Sequence, residues 1–283
     1  MNLKKFALVG GDYRNLSLAK LLEEEGYEVT TFALSETDSA TLDMTIQEAD
    51  VVIAPIPFTN DGKTLNTPLY QEQIYINDFL KSLKGSSLLI SGKLDEPIIR
   101  LCSQYLLNTI DILQREDFSV LNAIPTAEGA IQIAMQETPF TLSGSNILIT
   151  GYGRVGKVLA QMLKGLSANV FIATKPFEEK AYSLAFGFKN IDFSNLKDYI
   201  HEMNLIINTV PAKVLSHEIL SVVAKKCIII DLASKPGGLD FEKAKELGIK
   251  TIWALSLPGK VAPDTSAKII RDTVFNIVKE MEV

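Results

Sequence analysis

Twice along this chain a short apolar run stops at a glycine turn and passes into an amphipathic helix, first in "KFALVGGDYRNLSLAKLLEEEG" and again in "NILITGYGRVGKVLAQMLKG". A second apolar run follows each helix, "YEVTTFAL" and "NVFIATKP". Strand, helical crossover and strand make a parallel pair, because a tight hairpin can join only antiparallel neighbours. More apolar runs extend both halves, "DVVIAPIPF" and "SSLLIS" in the first and "LIINTVP", "CIIIDLAS" and "KTIWALSL" in the second. Helices are predicted at "YQEQIYINDFLKSL" and "EPIIRLCSQYLLN". Strands alternating with helices build an open parallel sheet covered on both faces. The pattern predicts an α/β chain with two doubly wound, Rossmann-like domains.

"SVLNAIPTAEGAIQIAMQETP" carries apolar residues at helical spacing and predicts a long connecting helix over 121–140. It would join a first domain, 1–120, to a second, 141–263, with the two facing each other across a hinge. The amphipathic last segment, 264–283, is expected to pack back on the first domain. A length of 283 residues suits two domains. A net charge of -6 gives no electrostatic reason to expect nucleic acid or an anionic membrane as partner. No apolar run approaches the ~18 residues of a membrane span, and charges interrupt the N-terminal run, so a cytoplasmic protein is expected. Cys102 and Cys227 lack ligand-spaced neighbours and read as buried bystanders, so no metal is expected.

In "GYGRVG" the glycines are Gly151, Gly153 and Gly156, directly after a strand and opening a helix. Gly151 would make the tight turn, Gly153 would admit a pyrophosphate, and Gly156 would let helix and strand approach. The helix start, with Arg154 and Val155, would offer its amides to the phosphates. An acid that receives the adenosine ribose hydroxyls of NAD normally ends the next strand, ~20 residues on. Thr174 and Lys175 stand there instead, and a hydroxyl with an ammonium suits a 2′-phosphate. NADP(H) is therefore expected over NAD(H), unless Lys175 is only a solvated loop lysine.

Ligands in doubly wound domains lie at the carboxyl ends of strands. This places Asn208, Thr209, Val210 and Pro211 beside the nicotinamide ribose, and Asp231, Leu232, Ala233, Ser234 and Lys235 beside the ring. The first glycine turn, "GGDYRN", lacks a third glycine. It is expected to seat a substrate acid group against Asp12 and Arg14 rather than a second cofactor, with a plain surface arginine as the alternative. The two histidines, His201 and His217, fall outside the strand ends. Lys235, Glu128, Asp12, Arg14 and Arg100 remain as proton acceptors or carboxylate binders, and Thr126 on the connecting helix is expected to bind substrate with Asp12, Arg14 and Arg100.

"APIPFT", "NAIPTAEGAIQIAM", "DLASKPGGLDFEKAKELGIK" and "LPGKVAPDTSAKII", with both glycine turns, resemble the A-subunit family of dipicolinate synthase from endospore-forming bacteria, from near residue 3 to residue 280. The fold also resembles D-2-hydroxyacid dehydrogenases, with Lys235 roughly where those enzymes carry a catalytic arginine and "SLPGKVAP" where they carry a histidine. The resemblance implies oxidation of a dihydrodipicolinate to dipicolinate with NADP during sporulation, in the mother cell. It implies as partner the flavoprotein-like B subunit of dipicolinate synthase, and a small dicarboxylate as substrate. On this reading Lys235, Glu128 and Ser234 handle protons or orient the substrate, Lys235 either as a desolvated base or as a charged carboxylate holder. Alternatives are a 2-hydroxyacid or amino-acid dehydrogenase of the same fold, or a non-catalytic NADPH-binding regulatory protein. A homo-oligomer is expected.

Overall fold

The computed structural model of the chain describes residues 5–36 and 40–281. The expected first residues of the N-terminal domain and the last two of the terminal helix lie outside these. The chain divides into two compact units, one up to Asn122 and again from Ala262, the other Ala123–Val261. Among the described residues, no helix is long and apolar enough to cross a membrane.

The first unit holds strands β1 (Lys5–Val9), β2 (Glu28–Phe32), β3 (Val51–Ile53), β4 (Leu88–Ser91) and β5 (Asn108–Asp111) in the parallel order β2-β1-β3-β4-β5. Its helices are α1 (Tyr13–Glu24), α2 (Leu42–Ile46), α3 (Ile76–Ser82), α4 (Glu96–Gln104) and the start of α5 (Glu116–Glu137). Strand composition follows position. β3 and β4 are buried at every residue and, apart from the closing Ser91, are apolar, whereas edge strands β2 and β5 alternate or carry polar residues. Two details differ from the sequence reading. Helix α3 begins at Ile76, not Tyr70, and Asn108–Asp111 is a strand where the helical pattern runs to Asn108.

The C-terminal helix, Pro263–Glu280, lies in this unit, its Ile270, Val274 and Ile277 in one core with Leu18 and Leu22 of α1. Arg115 ties it to the start of α5 by bonding both Asp117 and Glu280. The Arg115 guanidinium holds the Asp117 carboxyl down to about 2. A depressed carboxyl stabilises above its unfolded value, 3.8, and ceases to as pH falls to about 2. Asp117→Asn should therefore melt below the parent at neutral pH, the gap closing between those two values; a pH-independent gap would exclude this origin.

The second unit holds β6 (Asn146–Thr150), β7 (Asn169–Ala173), β8 (Lys189–Asn190), β9 (Leu205–Asn208), β10 (Ile228–Asp231) and β11 (Lys250–Trp253), parallel in the order β11-β10-β9-β6-β7-β8. Its helices are α6 (Arg154–Gly165), α7 (Phe177–Ala185), α8 (Leu196–Tyr199), α9 (His217–Leu220), α10 (Phe241–Glu246) and α11 (Leu257–Val261), with the C-terminal part of α5. Strand order reverses between β6 and β9, so their carboxyl ends open the crevice where this fold takes ligands. Pro125 sits inside α5, where it removes one intrahelical donor.

Candidate functional site

At the end of β6 the backbone turns through Gly151 at φ +89° into α6, whose N-cap is Gly153. The three glycines meet different surroundings. A Cβ on Gly151 would stand 2.5 Å from Thr209 Oγ1, and one on Gly156 would stand 2.4 Å from the Gly151 carbonyl oxygen. A Cβ on Gly153 would meet nothing within 4 Å. No side chain caps α6, so its first amides keep their capacity for an anion. Tight packing at two glycines and open space over the third fit a pyrophosphate laid on Gly153, with Arg154 and Val155 opening the helix beneath it.

The ends of β9 and β10 are joined by a buried polar network. Asn208 and Asp231 are each 0% exposed. Thr150 Oγ1 donates to Asn208 Oδ1 at 2.5 Å, and Asn208 Nδ2 donates to Asp231 Oδ1 at 2.7 Å. The amides of Ala233 and Gly238 complete the Asp231 carboxylate at 3.0 and 2.7 Å. Asp231 therefore shapes the loop from Leu232 to Gly238 from within, rather than facing a nicotinamide ring as its strand-end position suggested. A Cβ on Gly238 would stand 2.0 Å from Asn208 Nδ2, which explains the second glycine of "KPGG". Thr209 bonds the Thr150 carbonyl at 2.9 Å beside Gly151, Val210 is half-buried next to it, and Pro211 is exposed. Ala233 is buried and its carbonyl receives the Trp253 indole N–H at 2.8 Å.

Ser234 and Lys235 are exposed on the loop that Asp231 holds. The Lys235 side chain therefore stands in solvent rather than in a closed pocket. Glu128 is exposed and Thr126 half-buried on α5. His201 and His217 are exposed, and Cys102 and Cys227 are buried, with burial pushing the Cys227 thiol up to about 12. Among the described residues no group of three or more His, Cys, Asp or Glu is placed to hold a metal.

The first unit departs further from the sequence reading. Asp12 caps α1 by accepting the Arg14 amide at 3.0 Å, and it receives Arg14 Nε and Nη2 at 2.8 and 2.9 Å. Nη2 also donates to the Ile56 carbonyl, and Arg14 is 5% exposed. The bidentate face expected to grip a substrate carboxylate is spent on Asp12, two residues away. Arg100 is exposed on the second turn of α4 and paired with Glu96, a helix-surface ion pair rather than part of a strand-end site.

One acid has no signature in the sequence. Glu179, in the first turn of α7, reaches back to the glycine turn, where its Oε2 accepts the Tyr152 amide at 3.1 Å and the Thr174 hydroxyl. Thr174 is 3% exposed and directs its hydroxyl inward. Lys175 is exposed, its ammonium 5.8 Å from the Phe193 ring centroid.

Residues 5–113 match the family described as the N-terminal domain of the dipicolinate synthase A subunit, and 125–233 match the NAD binding domain of D-isomer specific 2-hydroxyacid dehydrogenases. The dipicolinate synthase A subunit of Bacillus subtilis strain 168 is 29% identical over 287 residues, covering 98% of this chain and 97% of that protein. Along nearly its whole length the chain is similar to the A subunit of dipicolinate synthase. A crystal structure of the dipicolinate synthase A subunit from Bacillus halodurans superposes with a TM-score of 0.88 at 28% identity, over 97% of each chain. The D-lactate dehydrogenase of Salmonella shares the fold alone, with a TM-score of 0.63 at 16% identity over 96% of this chain and 95% of that one. The match to a dehydrogenase NAD binding domain supports an oxidoreductase that uses a nicotinamide cofactor.

Proposed function

We propose that the chain oxidises a dihydrodipicolinate to dipicolinate in the mother-cell cytoplasm of a sporulating bacterium, working with a flavoprotein-like B subunit. The observation that carries this reading is the open cradle over Gly153 in a chain that matches the dipicolinate synthase A subunit along its length. Bound there, a nicotinamide dinucleotide would supply the hydride acceptor. The substrate loses one hydride and one proton, and aromatisation supplies the driving force, so the protein has only to position a C–H and take a proton. Lys235 holds a substrate carboxylate through its hydrated ammonium, Ser234 adds a hydrogen bond, and Glu128 accepts the proton. Thr126 lines the substrate side of α5. With Arg14 committed to Asp12, the second carboxylate depends on other donors.

The test supplies the purified chain with dinucleotide and the fresh condensate of pyruvate and aspartate semialdehyde, which loses water to give the dihydrodipicolinate, with and without the flavoprotein-like partner, and reads dipicolinate by terbium luminescence. Dipicolinate should form, and Glu128→Gln should slow it by about 100-fold, as expected on losing a general base. No dipicolinate in either arrangement would refute the proposal.

A further inference from the structure

We infer that Glu179 stands in for the missing strand-end acid and makes this chain select NAD(H) over NADP(H), the reverse of what Thr174 and Lys175 suggest in the sequence. This rests on the dinucleotide reading of the glycine turn. In this fold the acid that receives the adenosine ribose hydroxyls sits where the first glycine turn meets the end of the second strand. Glu179 is anchored at that junction from another direction. Tyr152, whose amide it accepts at 3.1 Å, lies between Gly151 and Gly153, and Thr174, whose hydroxyl it accepts, directly follows β7.

Both bonds go to Oε2. Oε1 has no hydrogen-bond partner among the described residues, and the side chain is only half-buried, so one carboxylate oxygen stays available to ribose hydroxyls. The groups that would welcome a 2′-phosphate face competing contacts. The Thr174 hydroxyl is spent on Glu179, the Lys175 ammonium lies over Phe193, and Lys180 pairs with Asp192. A 2′-phosphate would bring nearly two negative charges to hydrogen-bond range of a fixed carboxylate, whereas a ribose diol brings two donors.

Dissociation constants of NADH and NADPH for the full chain, read from the fluorescence of the bound reduced nicotinamide, decide the matter without turnover. NADH should bind tighter by roughly 10- to 100-fold, the range of a charge-assisted hydrogen bond gained or lost. Glu179→Gln should weaken NADH by about 10-fold and strengthen NADPH, and Glu179→Lys should invert the preference. Tighter NADPH binding by the parent protein would overturn the inference. Equal weakening of both ligands in Glu179→Gln would also overturn it, since that is the signature of an acid that merely braces Tyr152 and Thr174. Failure of the parent to bind either dinucleotide would refute the cofactor reading itself and this inference with it.

Discussion

Gly153→Val is expected to lower dinucleotide affinity by on the order of 100-fold, about 2.8 kcal/mol, while costing no more than about 1 kcal/mol of stability. The separation of the two effects follows from the surroundings of the turn. Gly153 has φ -74°, which any residue adopts, and nothing within 4 Å of its missing Cβ, so the fold has no stake in its being glycine. A ligand phosphate does, because the added methyls occupy the space over the uncapped start of α6. Gly156→Ala makes the contrasting control. Its Cβ would stand 2.4 Å from a backbone oxygen, so the turn must move and both stability and binding should fall. Titration calorimetry beside thermal melts distinguishes the cases, and Gly153→Val retaining full affinity would remove the pyrophosphate from this turn.

Asp231→Ala is expected to destabilise the second unit by roughly 3–6 kcal/mol, from three buried donors each losing an acceptor at about 1–3 kcal/mol, with partial relaxation. Those donors are the Asn208 side-chain amide and the backbone amides of Ala233 and Gly238. The loop carrying Ser234 and Lys235 hangs from these bonds, so turnover should fall even where the variant is folded. Asp231→Asn keeps the shape but turns an NH₂ toward at least one N–H, and should cost about 2 kcal/mol or more. Urea unfolding measures both. A loss under 1 kcal/mol for Asp231→Ala would mean that the network is not what holds the loop.

The parallel sheets are legible in the sequence because central strands such as β4 and β10 are buried at every residue and are apolar up to their last residues, Ser91 and Asp231. Asn108–Asp111 is hidden for the opposite reason, since an edge strand with polar residues carries no such run and follows a helical pattern without a break. The glycine turn can be read because its geometry is local. Roles that depend on where a side chain points cannot. Arg14 reads as open to a ligand, although Asp12 at the helix cap turns its guanidinium inward. Asp231 reads as facing a ligand for its place at a strand end, yet Asn208 and Gly238 enclose it. Glu179 escapes because Glu178 and Glu179 are neighbours in the first turn of α7, and only the phase of that helix decides which one returns to Thr174.

The most direct test of the central claim is to follow reduced nicotinamide and dipicolinate together in one reaction of the purified chain, its flavoprotein-like partner and freshly made substrate. The account predicts one reduced cofactor for each dipicolinate formed, with both signals falling together in Gly153→Val at cofactor concentrations that just saturate the parent. Dipicolinate accumulating with no reduced nicotinamide, or tight dinucleotide binding with neither product, would contradict it.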